Sequence, residues 1–182
     1  MNKTNRHRIF WTLLALVGLI ATASAATTLS RLSFDELVHH SSVVARLRCV
    51  RVDVLTERGE IWTDTLFQVM RQDKGFTSSP IVVRMPGGKM QNLTSHVEGV
   101  PQFRPGEEVY LFLVLQPGKQ FHILGWSQGT FRIHKNPRTG METVTQDSAD
   151  LPVFDPQARS FTRTGIQNLT MDRFLEQLHR QL

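Results

Sequence analysis

The chain has 182 residues, 40% of them hydrophobic and 20% charged, proportions of a globular domain rather than of a disordered, collagen-like or multi-spanning chain. One cysteine excludes an internal disulfide framework and a cysteine-rich zinc site. The formal charge of +5 overstates the basic character, because Lys3, Arg6 and Arg8 lie in an acid-free leader. The remaining 18 basic residues face 16 acidic ones, a charge of +2, which gives no electrostatic basis for a dedicated polyanion binder.

The leader divides into three parts. Lys3, Arg6 and Arg8 form a positive region, an apolar run extends from Ile9 to Ala21, and Ala23-Ser24-Ala25 fits the A-x-A pattern of a signal-peptidase site. A helix of that apolar length rises about 20 Å, short of the roughly 30 Å hydrocarbon layer. Thr22, Ser24, Thr27 and Thr28 are too polar to lengthen it into an anchor, and no cysteine stands at the cleavage point for lipidation. The expectation is a signal peptide over 1–25, export to the periplasm or beyond, and one domain over 26–182 with no stable transmembrane anchor.

In chain order, Ser33 and Glu36 form a capping-box pattern for a short helix over 33–40. Val43, Ala45, Leu47 and Cys49 then alternate with Val44, Arg46 and Arg48, before the apolar phase passes to Val50, Val52 and Val54. That slip predicts a β-bulge in a long, bent strand. Arg58-Gly59-Glu60 is a turn, Ile61–Val69 a returning strand and Ile81–Met85 a third strand. The stretch from Pro86-Gly87-Gly88 to Gly99 is polar and has no clear period. Val109–Leu115 is a continuous apolar run of strand length, predicted to be buried on both faces. After the Gln116–Lys119 turn, Phe121–Leu124 and Gly129–His134 read as two further strands. Residues 136–165 are rich in Pro, Gly, Asp and Thr and read as loop or irregular edge. Thr170 is placed to cap a helix over 170–181, in which Met171, Phe174, Leu175 and Leu178 share a side. The fold class expected is mainly β: a small OB-like barrel with its core at about 43–135, or an open sandwich, flanked by a short N-terminal and a C-terminal helix.

Two segments carry a family likeness. Val83-Arg84-Met85-Pro86-Gly87-Gly88 and Val97–Leu113, with its V-x-G-x-P-x-F-x-x-G-E pattern and L-F-L strand, resemble a group of uncharacterised exported bacterial proteins. Gly125–Ile133, a G-x-x-x-G-x-F-x-I segment, extends the resemblance to about half of the chain after the leader. More distantly, the strand, G-E turn and apolar strand resemble netrin-like and metalloprotease-inhibitor modules, which are OB barrels. Those modules carry cysteine bridges and a metal-binding amino-terminal cysteine, whereas this chain has only Cys49, so the resemblance implies a fold and no inhibitory activity.

Gly125-Trp126-Ser127-Gln128-Gly129 matches the G-x-S-x-G nucleophile elbow, but Thr130–Ile133 after it alternates like a strand where that motif needs a helix. His39 and His40 are adjacent, about 100° apart on a helix, and His96, His122 and His134 have no ligand spacing, so with Asp35 and Glu36 they read as solvated side chains. Glu107 and Glu108 are neighbours that face opposite ways on a strand, with Glu107 placed to fix the turn. Gly87-Gly88-Lys89 lacks the spacing and helix of a P-loop, and its glycines suit a tight turn. Arg46, Arg48, Arg51 and Arg58 make a basic stripe that an exported, near-neutral domain does not commit to nucleic acid. Cys49 reads as a small apolar residue, while Asn92-Leu93-Thr94 and Asn168-Leu169-Thr170 match glycosylation acceptors. No catalytic residue, cofactor or metal ligand is assigned. The expected function is non-enzymatic binding of an envelope or extracellular protein, peptide or polymer through the 86–104 loop and the barrel face, the alternative being a serine hydrolase using Ser127.

Overall fold

The structure, a computed structural model, describes residues 30–117 and 120–182; the leader and its cleavage position lie outside the described residues. It is mainly β, with a helix near each end of the described chain. Helix α1 (Phe34–His40) opens with a complete capping box, Ser33 accepting from the Glu36 amide while the Glu36 carboxylate accepts from the Ser33 amide. Its other end is held by Lys74 Nζ, which donates to the carbonyls of Val38 and His39, a cation where the helix dipole is negative.

Strand β1 (Val43–Glu57) pairs with β2 (Glu60–Lys74) across a two-residue turn, Arg58 and Gly59, both at positive φ. The register passes from Cys49↔Phe67 to Arg51↔Leu66. Val50 is therefore the extra residue of the expected bulge. β2 runs five residues beyond the expected Val69, because its charged end finds partners: Asp73 meets Tyr110, Arg71 and His179, and Lys74 meets α1.

β3 (Ile81–Pro86) follows, and the supposedly aperiodic polar stretch folds into a small hairpin of β4 (Gly88–Met90) and β5 (Leu93–Ser95). β6 (Glu108–Gln116), β7 (Gln120–Ile123), a 3-10 turn over Trp126–Gly129 and β8 (Thr130–Lys135) come next. The segment 136–165 is more regular than expected. It supplies β9 (Glu142–Gln146) to the main sheet and a separate hairpin of β10 (Val153–Asp155) and β11 (Ser160–Thr162). Val144 alone makes β9 apolar, yet it is fully buried, and the turn residues around so short a strand hide it from a periodicity reading. β12 (Leu169–Thr170) leads into α2 (Met171–Gln181); Thr170 stands at the N-cap, but its hydroxyl makes no capping bond.

The strands run β1-β2-β3-β7-β6-β8-β9-β12, and β6 also pairs with β1. β1, β2, β3, β7 and β6 thus curl into a partly closed ring rather than a clear barrel, the β3–β7 link being the single parallel pair Val83↔Phe121. β6 explains its own apolar sequence. Val109, Leu111 and Leu113 face the ring interior with Ala45, Leu47, Phe67 and Val83, whereas Tyr110 and Phe112 face outward against Phe131 of β8 and Leu37, Phe174 and Leu178 of the two helices. No helix among the described residues is long and apolar enough to cross a membrane.

Candidate functional site

The bulge at Val50 has a structural consequence at the far end of β1. Before it, odd-numbered residues point into the ring; after it, Val52 and Val54 do. These two valines, with Thr63 and Thr65 of β2 and Met85 of β3, floor a cavity of about 320 Å³. Its roof is the 86–103 segment, including β4, β5, Val100 and Phe103. The expected contact loop is therefore the lid of a cavity.

Gly87 and Gly88 allow the roof to approach the floor. Both have positive φ, 89° and 143°. A Cβ on Gly88 would meet Thr63 Oγ1 at 2.6 Å and Val54 at 2.9 Å, and one on Gly87 would meet the Ser95 carbonyl at 2.8 Å. Thr63 donates its hydroxyl to the Gly87 carbonyl at 2.6 Å. Gly88 and Lys89 lie within strand β4, and strand β5 rather than a helix follows, so the P-loop geometry is absent. Of the described lining side chains, Lys89 and His96 carry nitrogen bases and none is acidic; His96 lies 3.4 Å from Glu98.

The roof is tied to the sheet by Arg132 of β8. Its guanidinium donates to Asp147, to Glu107 Oε2 at 2.8 Å and to the Gln102 carbonyl at 2.8 Å, and it stacks 5.0 Å from the centre of the Phe103 ring. Burial works against its charge, but Asp147 and Glu107 outweigh that and hold its pKa above the ordinary arginine value. Glu107 also accepts from the Arg104 amide, which is the turn-fixing role expected of it. Gly106 donates to the Cys49 carbonyl and Cys49 to that of Glu107. The segments Val97–Leu113 and Gly125–Ile133 meet here, through Phe103 and Glu107 of the first and Arg132 of the second.

Glu108 faces away from this junction and accepts from Arg46 and Arg48, while Arg46 also holds Glu142. Arg51 pairs with Asp53. Three of the four arginines of the basic stripe are thereby matched by acids, and Arg58 sits in the exposed turn. Cys49 is buried in the ring core, where burial and Glu107 push its thiol pKa up, away from the reactive thiolate.

Ser127 occupies the 3-10 turn between β7 and β8, is only 3% exposed, and its Oγ has no hydrogen-bond partner among the described residues. The glycines around it serve packing: a Cβ on Gly129 would strike the Leu124 carbonyl at 2.1 Å. The side chain of consequence in this motif is Gln128, unremarked by sequence reasoning. Its amide accepts from Leu32 N and donates to the Ser30 carbonyl, pinning the described amino end to the sheet.

The histidines do not converge. His39 and His40 touch edge to face at 5.2 Å; His122 is held below the ordinary imidazole value by burial and by Arg84. His179 joins Asp73, whose side chain is 2% exposed and also meets Arg71 and the Tyr110 hydroxyl. Burial and the Asp73 charge push the Tyr110 phenol pKa up. This cluster fastens α2 to β2. No group of three or more potential metal-ligating side chains occurs among the described residues. Neither a protein-family model, nor a curated protein, nor a solved structure matches the chain.

Proposed function

We propose that this chain is an exported binding module, without turnover, that holds an envelope or extracellular protein, peptide or polymer through the Gly87–Pro105 loop and the cavity it roofs. The observation that carries the reading is that cavity: a preformed concave site of about 320 Å³, within the ordinary size of ligand pockets, under the loop whose roof is braced by Arg132. A partly open five-strand ring with a bulged first strand also fits the OB type, whose loops bind ligands, and supports the distant resemblance. Ser127 favours binding over hydrolysis, since a nucleophile needs a base within hydrogen-bond reach and its hydroxyl meets no partner among the described residues. Pairing of the arginine stripe argues against a nucleic-acid ligand.

Export predicts a mature chain beginning at Ala26; amino-terminal sequencing of the secreted product checks it, and a membrane-bound product retaining Met1 contradicts it. The function is tested by immobilising that mature chain against envelope extract. A retained component should be lost with Lys89→Glu and Thr94→Arg, both exposed on the roof, and kept with Ser127→Ala. Retention indifferent to the roof changes overturns the reading, as does esterase or peptidase turnover that Ser127→Ala abolishes.

A further inference from the structure

Resting on the reading of that cavity as a binding site, and going beyond the protein, peptide or polymer held by its roof, we infer that the cavity under β4 and β5 binds a small anionic amphiphile: an apolar chain or ring the size of an eight-carbon acyl group, with a carboxylate at the mouth. Size sets the first limit. At roughly 30 Å³ for each water-sized group, about 320 Å³ holds about ten non-hydrogen atoms, the number in octanoate. Val52, Val54 and Met85 of the floor and Val100 and Phe103 of the roof offer hydrocarbon to hydrocarbon.

Two further observations point to a guest. Thr65 lines the cavity and is 2% exposed, yet its hydroxyl makes no hydrogen bond with another described residue. A hydroxyl on the wall of a cavity is satisfied by water or by a ligand, so Thr65 offers an occupant one polar partner within the hydrocarbon lining. The second is charge. No carboxylate of the described residues lines the cavity, whereas exposed Lys89 stands at its mouth without an ion pair among them; His96, also in the lining, leans on Glu98. Burying a carboxylate is costly, which places the acid end outward at Lys89 and the apolar end inward.

The test titrates the mature chain with hexanoate, octanoate, 1-octanol and octylammonium, followed by amide chemical shifts and calorimetry. Octanoate should shift Val52, Thr65, Met85 and Val100. It should bind about fifteenfold tighter than hexanoate, since each buried methylene is worth about fourfold. Lys89→Gln, an exposed change that leaves the fold intact, should weaken octanoate about two- to fivefold and leave octanol unchanged. Octylammonium binding as tightly as octanoate overturns the inference, as does octanoate that leaves the cavity residues unmoved at millimolar concentration. If an envelope component still binds the roof in that case, only the ligand class is wrong; if it does not, the binding reading falls as well.

Discussion

Arg132 shows how one side chain can organise a site it does not line. Four contacts converge on its guanidinium: Asp147, Glu107, the Gln102 carbonyl and the Phe103 ring. A planar guanidinium can make all of these at once, whereas an ammonium cannot. Removing it leaves two carboxylates without their partner at a half-dry junction. Arg132→Gln should therefore cost about 1.5–3 kcal/mol, a melting-temperature drop of about 3–12 °C for a domain of this size. Because Gln102 and Phe103 belong to the cavity roof, amide exchange over 97–105 should quicken more than exchange in β6. A uniform change, or none, would show that Arg132 does not brace the roof. Ser127 stands at the opposite extreme, a buried hydroxyl with nothing to lose.

Among the elements, β1 has two duties divided by its bulge. Its first half closes the ring against β6, and its second half floors the cavity. The first half is fastened by charge, Arg46 and Arg48 holding Glu108, and Arg46 also gripping Glu142 of β9. Arg48, then Arg46, hold the Glu108 carboxyl below the usual glutamate range, and Arg46 does the same to Glu142. A depressed folded-state pKa means stability that is complete above the ordinary glutamate value and lost as pH falls through the lowered one. Wild type should therefore melt higher than Arg46→Gln at pH 7, and the gap should narrow as pH is taken toward 3. Thermal melts across that range decide it; a gap that stays constant or widens in acid would remove this clamp from β1.

For the whole molecule, β6 is the wall between two cores. The inner one belongs to the ring, and the outer one joins α1, α2, β8 and β9 through Phe112, Phe131, Phe174, Leu37 and Leu178. Phe174 meets Phe34, Tyr110 and Phe131 with ring centres 5.0–5.8 Å apart. Truncating a buried aromatic removes its transfer free energy and leaves a void, so Phe174→Ala should cost about 3–5 kcal/mol. One cooperative denaturant transition shifted for both cores is expected, since β6 contributes to each. Loss of the outer core with the ring melting unchanged would mean that the two cores unfold separately.

Local chemistry settled much of this architecture from the sequence by itself. The capping box at Ser33, the Val50 bulge, the apolar run of β6 and the amphipathic final helix act over a few residues, and each was legible in its own segment. The segment between Gly87 and Pro105 was legible as a long polar stretch held between two strong strands. Its cavity was not, because Val52, Thr65, Met85 and Phe103 come together only through strand register and ring curvature. Strand β9 and the β4–β5 hairpin were missed for a related reason: short polar strands have almost no period, and their partners across the sheet select them. Arg132 and Gln128 carried no local sign of their roles, since a hydrogen-bonded side chain is defined by groups tens of residues away. Propensity and pattern travel a few residues along the chain; the site depends on contacts that only tertiary folding creates.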